Sequence, residues 1–189
     1  MKIYLAGPDV FLLDAKAIGR AKQDLCAQFG LTGLFPLDNA IAAEAKEKPS
    51  LRIFRGNTDT MTEADAIIAN LTPFRGPSAD AGTVYELGFM AGLGKFCVGY
   101  SNDGGSYRDR VVGMLTTKTT PDGACIDDDG NTVEDFGLAD NLMIIHGLET
   151  FGCPLIVPND LPKDPLRDLA AFEACVRWLA KTPPRNCAP

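Results

Sequence analysis

The stretch PFRGPSADAGTVYELGFMAGLGK, residues 73–95, sets two carboxylates, Asp80 and Glu86, in a turn rich in glycine and proline that runs into an apolar segment. Thr83 and Glu86 stand in the T-x-x-E relation of a capping box, in which a hydroxyl and a carboxylate satisfy the free N–H groups of a helix start. Asp80 is a candidate partner for the same helix dipole. A chemical reading competes with this structural one. The segment follows a continuous apolar run, AIIANL at 66–71, so its first turn falls at the carboxyl edge of a sheet, where α/β proteins place their ligands. The first β-type run, KIYLAG at 2–7, ends on the same edge and brings Tyr4, Gly7 and Phe11 near the two acids. A carboxylate, a phenol and an aromatic ring suit a sugar that carries a flat base. Glu86 can attack the anomeric carbon, Tyr4 can hold it in line, and Phe11 can pack against the base. Tyr4 and Phe11 are equally compatible with ordinary core positions.

The elements that must position these residues are legible as an alternation. After 2–7, closed by Gly7-Pro8, the residues Leu13, Ala17, Ala21, Leu25 and Phe29 recur at helical spacing and stop at Gly30. LTGLFPLDN at 31–39 reads as a strand broken by Pro36, 51–64 as a helix, and 66–71 as a buried strand. GTVYELGFMAGLG at 82–94 is a helix ended by Gly92 and Gly94, and FCVGY at 96–100 is the next strand. ACIDDDGNTVEDFG at 124–137 predicts a surface hairpin; its Asp127, Asp129 and Gly130 supply only a fragment of a calcium loop. NLMIIHGLE at 141–149 looks helical and CPLIVP at 153–158 like a last strand. A closing helix at 164–181 has Leu166, Leu169, Phe172, Val176 and Leu179 on one face, with Trp178 in its packing, and the tail from Thr182 is expected to fray. Strands alternating with helices predict an α/β fold, a three-layer sandwich with a central parallel sheet, in one domain over 1–189.

Composition excludes several classes of function. The 189 residues are 46% hydrophobic and 23% charged, enough for a core of that size. Net charge is −7 and the lysines and arginines form no basic run, so no nucleic acid polymer is expected as partner. With His146 the only histidine and no CxxC or HExxH, a zinc site would need an unusual ligand set, so no metal is expected. The six cysteines are widely spaced and MKIYLAG is too short for a signal peptide. No stretch approaches the roughly 18 apolar residues of a membrane span, so the expectation is a cytoplasmic protein with reduced thiols and no membrane partner.

In IYLAGPDVF, FPLDNA (35–40), the run from Ile53 to Lys95 and DNLMI (140–144), the chain resembles the nucleoside 2-deoxyribosyltransferase family, with the pieces in the family's order across most of the first 150 residues. The resemblance implies a flavodoxin-like strand order and transfer of 2-deoxyribose between a deoxynucleoside and a free nucleobase, purine or pyrimidine. It implies no cofactor, because the carboxylate itself carries the sugar. Glu86 matches the nucleophile that forms a covalent deoxyribosyl ester, and two inversions then give retention. Tyr4 matches the tyrosine that orients the nucleophile, and Asp80 the acid that binds the sugar hydroxyls. Gly7 and Phe11 would flank the base. Asn141, with Met143 beside it, matches the element that a neighbouring subunit lends to the sugar 5′ end, which implies a homo-oligomer with shared sites in a salvage enzyme.

Asn57 stands where several members of the family carry an aspartate that contacts the base. An amide donates no titratable proton, so Asn57 reads the base by hydrogen bonds alone, or Asp59 assists its departure, or the base takes its proton from water. Asp65, just before a buried strand, is read as closing the turn between helix and strand. One alternative is a hydrolase of the N-glycosidic bond in deoxynucleoside 5′-monophosphates, whose phosphate would need Arg, Ser or helix N–H groups; the expected 5′ partner Asn141 is neutral, and Arg75 and Ser78 in the loop are the residues that keep this reading open. Another is a nucleoside-sensing module in which Glu86 serves only as a cap. A dinucleotide oxidoreductase is excluded because GPDVF, not G-x-G-x-x-G, follows the first strand.

Overall fold

The runs of continuous apolar residues become a parallel sheet covered on both faces. In the computed structural model, which describes residues 1–39 and 47–182, β1 (Lys2–Ala6), β2 (Thr32–Leu34), β3 (Ala66–Asn70) and β4 (Phe96–Tyr100) are all parallel, in the order β2-β1-β3-β4. Every residue of β3 and β4 is buried, as expected where helices lie on both faces. Alternation along the strands divides the core into two layers. Ile3, Leu5, Ile68 and Val98 pack with α1 (Ala15–Gln28) and α6 (Ala170–Lys181), through Cys26, Phe172, Val176 and Leu179. Tyr4, Ala6, Ile67 and Cys97 face α2 (Pro49–Glu63), α3 (Ala81–Gly92) and α5 (Leu142–Phe151), through Met61, Leu87, Met90 and Leu148. The result is the expected three-layer α/β sandwich.

The segment after α5 lies alongside β4, in the fifth position of a flavodoxin-like order, but as two isolated bridges, Cys97 to Gly152 and Tyr100 to Ile156. The strand expected at 153–158 does not form a regular ladder, because Pro154 has no N–H to donate. Gly152 permits the close approach: a Cβ there would lie 1.6 Å from the Cys97 carbonyl oxygen.

Two other expectations change, and one element is added. The closing helix begins at Ala170 rather than 164, because Asp168 Oδ1 accepts the Ala170 N–H and Asn102 Nδ2 donates to the carbonyls of Pro165 and Asp168, holding 164–169 as turn. In the middle region the antiparallel ladder joins β5 (Thr117–Thr119) to β6 (Cys125–Asp127), and only Ile126 to Thr132 survives of the hairpin expected within 124–137. The short α4 (Tyr107–Met114) was not foreseen, although Ser106 signals it by capping the Asp109 N–H at 3.1 Å. Trp178 packs as expected, edge-on to Phe96 at 6.3 Å. The tail beyond Thr182 lies outside the described residues.

Beneath the carboxyl edge lies an ion pair with no signature in the sequence. Asp9 and Lys22 are both almost completely buried and bonded to each other, and Asn70 Nδ2 donates to the other oxygen of Asp9 at 2.8 Å. This network anchors the 3-10 turn Pro8–Phe11 that follows β1 to the end of β3.

Candidate active site

Asp80 begins α3. Its backbone is extended and its Oδ2 accepts the Thr83 N–H at 2.9 Å and the Thr83 hydroxyl at 3.1 Å. Of the two readings of this segment, the capping box between Thr83 and Glu86 does not form: the cap sits three residues earlier and Glu86 falls in the second turn. Its carboxylate is thereby released from the helix end. Tyr4, at the centre of β1 and fully buried, donates its hydroxyl to Glu86 Oε1 at 2.6 Å. The two residues are 82 apart in the chain and meet because β1 and α3 pack on the same face of the sheet.

Burial governs the electrostatics of this pair. Loss of solvent pushes the Glu86 carboxyl up to about 7, opposed by the Tyr4 hydrogen bond and reinforced by the negative charge of Asp80. Burial, then the charge and hydrogen bond of Glu86, push the Tyr4 phenol well above its ordinary range, so Tyr4 remains the donor. Glu86 thus changes charge near neutrality, where an acid or a nucleophile is most useful.

Glu86 opens into a cavity of about 340 Å³ lined by Gly7, Phe11, Asn57, Asp80 and Thr83, with Val10, Pro36, Leu37 and Ile53 completing an apolar wall. That volume suits a small molecule. Gly7 belongs to the wall because its backbone lies close to β3: a Cβ would sit 2.8 Å from both Asn70 Cβ and Asp9 Oδ2. Phe11, half exposed, stacks on Phe74 with centroids 5.4 Å apart and planes 9° from parallel. Arg75, in a left-handed conformation at φ 57°, lays its guanidinium 5.0 Å from the Phe11 ring centroid and 4.7 Å from that of Phe74. Sequence reasoning missed Phe74; the P-F-R-G turn was its only local signal. Asn57 is held by its Oδ1, which accepts from Asn39 Nδ2 at 3.0 Å. Asp59 is exposed on α2 and outside the cavity wall, and Asp65 accepts the Lys2 N–H at 2.7 Å, a structural role.

Asn141 and Met143 are not brought to this cavity within one chain. Asn141 caps α5, accepting the Met143 N–H at 3.0 Å, and Met143 is 74% exposed. Both line a separate apolar hollow of about 500 Å³ between α3 and α5. Ser78, on the rim of that hollow, donates its hydroxyl to the buried Asp140, so its one proton is already committed. Among the described residues no group of three or more His, Cys, Asp or Glu converges as a metal site, and no helix is long and apolar enough to cross a membrane.

Comparison with known proteins gives this geometry a context. Over 93% of its length the chain superposes on 97% of a 2-desoxiribosyltransferase from Leishmania mexicana, with 31% identity and a TM-score of 0.61. A conserved protein of Enterococcus faecalis V583 shares the fold at 19% identity and a TM-score of 0.55, over 94% of this chain and 97% of that one. An uncharacterized protein of Schizosaccharomyces pombe is 34% identical over 113 residues, 58% of this chain, which spans only about half (54%) of that relative's length. The profile of the nucleoside 2-deoxyribosyltransferases matches residues 3–143, from β1 through the start of α5, and the chain belongs to that family.

Proposed function

We propose that the protein transfers 2-deoxyribose between nucleobases through an ester on Glu86. The observation that carries this reading is the Tyr4 to Glu86 hydrogen bond of 2.6 Å at the wall of a cavity that also holds Asp80 and Phe11. Tyr4 engages Oε1 and leaves Oε2 to attack C1′ from the face opposite the base. The C1′–O bond forms as the C1′–N bond breaks; the electron pair leaves with the base nitrogen, which then takes up a proton. A second base attacks C1′ in turn, donates its pair, loses a proton and releases the carboxylate. Asp80 holds the sugar hydroxyls while capping α3, Phe11 with Gly7 flanks the base, and Asn57 reads the base edge. Asp59, being exposed, is left out of base departure.

The position of Asn141 and Met143 outside the Glu86 cavity supports a homo-oligomer in which each chain completes its neighbour's pocket at the sugar 5′ end. The reaction consumes a deoxynucleoside and a free base, needs no cofactor, and fits nucleoside salvage in the cytoplasm.

The test is a chromatographic assay with 2′-deoxyinosine as donor and adenine or cytosine as acceptor. A new deoxynucleoside is expected from the wild type, and Glu86→Gln should lower its rate by about three orders of magnitude or more. Free deoxyribose formed at the same rate with or without acceptor would favour a hydrolase instead. Unchanged nucleoside binding without turnover would favour a sensing module.

A further inference from the structure

The first N–H groups of α5 have no partner within the helix and are of the kind that bind anions. Here two of the chain's own carboxylates and the Asn141 amide oxygen occupy them. Asp140 Oδ1 accepts the Asn141 N–H at 2.8 Å, and Glu134 Oε1 accepts the Leu142 N–H at 2.8 Å. Asn141 Oδ1 accepts the Met143 N–H at 3.0 Å, and Asn141 Nδ2 donates to Glu134 Oε2 at 2.9 Å. Asp140 also takes the Ser78 hydroxyl and, at 2.9 Å, the Ala79 N–H. The nearby cations are engaged elsewhere. Arg108 faces Asp135 at 3.0 Å and Asp109 at 3.7 Å, and Arg75 rests on the rings of Phe11 and Phe74.

We propose that Glu134 is a specificity-determining residue: bonded to Asn141 and to the first N–H of α5, it excludes a 5′-phosphate and admits a free 5′-hydroxyl. The inference rests on the proposed placement of Asn141 at the sugar 5′ end in a neighbouring copy. A phosphate approaching Asn141 there meets donors already committed and a negative charge beside them. A hydroxyl is neutral and can donate to the remaining lone pairs of Glu134. The segment around β6 thus acquires a function, since it delivers this carboxylate to α5.

The experiment compares kcat/KM for 2′-deoxyinosine and for 2′-deoxyinosine 5′-monophosphate in the wild type, Glu134→Gln and Glu134→Asp, with thermal unfolding of each variant. The wild type should favour the nucleoside by at least about a hundredfold. Glu134→Gln removes the charge and keeps an acceptor, so the nucleoside should lose a few fold while the monophosphate gains about tenfold or more. Glu134→Asp should restore most of the discrimination, and about 0.5 M salt should weaken it in the wild type. A ratio that stays the same in Glu134→Gln, or a wild type that uses both compounds within about tenfold, overturns this proposal alone. If neither compound reacts in a manner that depends on Glu86, the proposed function fails and takes the role of Glu134 with it.

Discussion

Asp80 and Glu86 stand six residues apart on the same helix, yet only Asp80 is bonded to the helix end, while Glu86 turns to the Tyr4 hydroxyl of β1 at 2.6 Å. One acid therefore serves the backbone and the other is held by a buried phenol. This separates tests of folding from tests of chemistry.

Substituting Asp80→Ser retains an oxygen to accept the Thr83 N–H and removes the carboxylate from the cavity. Stability is expected to stay within about 1 kcal/mol of wild type, whereas Asp80→Ala, which loses the cap, should cost roughly 0.5–2 kcal/mol. Both should lose about tenfold or more in kcat/KM for the deoxynucleoside, measured beside urea denaturation.

In Tyr4→Phe the donor to Oε1 is gone. That hydrogen bond holds the Glu86 carboxyl down against the effect of burial, so its loss should move the acid limb of the pH–rate profile to higher pH than in the wild type. The rate is expected to fall by roughly one to two orders of magnitude, and an unaltered rate and profile would leave Tyr4 as packing.

The ionisation of Glu86 carries a cost in stability. Its carboxyl lies at about 7 in the folded chain against about 4.5 for an ordinary solvated glutamate, so the folded state holds its proton more tightly than the unfolded state. Below the unfolded value both states are protonated and nothing is lost; the penalty grows as pH rises through that window and levels off above about 7, at a magnitude on the order of 3 kcal/mol. Glu86→Gln should therefore be more stable than wild type at about pH 8, with the difference disappearing towards about pH 4. Activity should be half-maximal on its acid side near pH 7, since the attacking group must be the carboxylate.

Mixing Glu86→Ala with Asn141→Ala chains tests the shared pocket. If sites draw on two chains of a dimer, random reassortment regenerates about a quarter of the sites, read as recovered exchange activity. No recovery after verified subunit exchange would argue for a pocket completed within one chain.

Lys22→Met removes one partner of the buried pair with Asp9. It leaves an uncompensated buried carboxylate and should destabilise the protein by about 3–5 kcal/mol in chemical denaturation. Because Asp9 also anchors the turn that ends at Phe11, binding of the deoxynucleoside should weaken in whatever protein remains folded.

The alternation of apolar strands and periodic helices was sufficient to place β1, β3, β4 and the helices between them, because burial on both faces of a parallel sheet demands continuous apolar runs. The same logic brought Tyr4, Phe11, Asp80 and Glu86 to one edge from residue types alone. Local signals failed where a residue's partner is distant. Nothing in T-x-x-E reveals that Asp80 takes the cap and that Tyr4, from another element, claims Glu86. Asp9 and Lys22 carry no local mark of their pairing, which arises because the turn after β1 and α1 pack with both inside. Only the tertiary structure decided which acid is buried, which donors at α5 are already bonded, and that Asn141 lies outside its own chain's pocket. These depend on distances between elements remote in sequence, and a one-dimensional pattern records side-chain chemistry and local periodicity but not proximity.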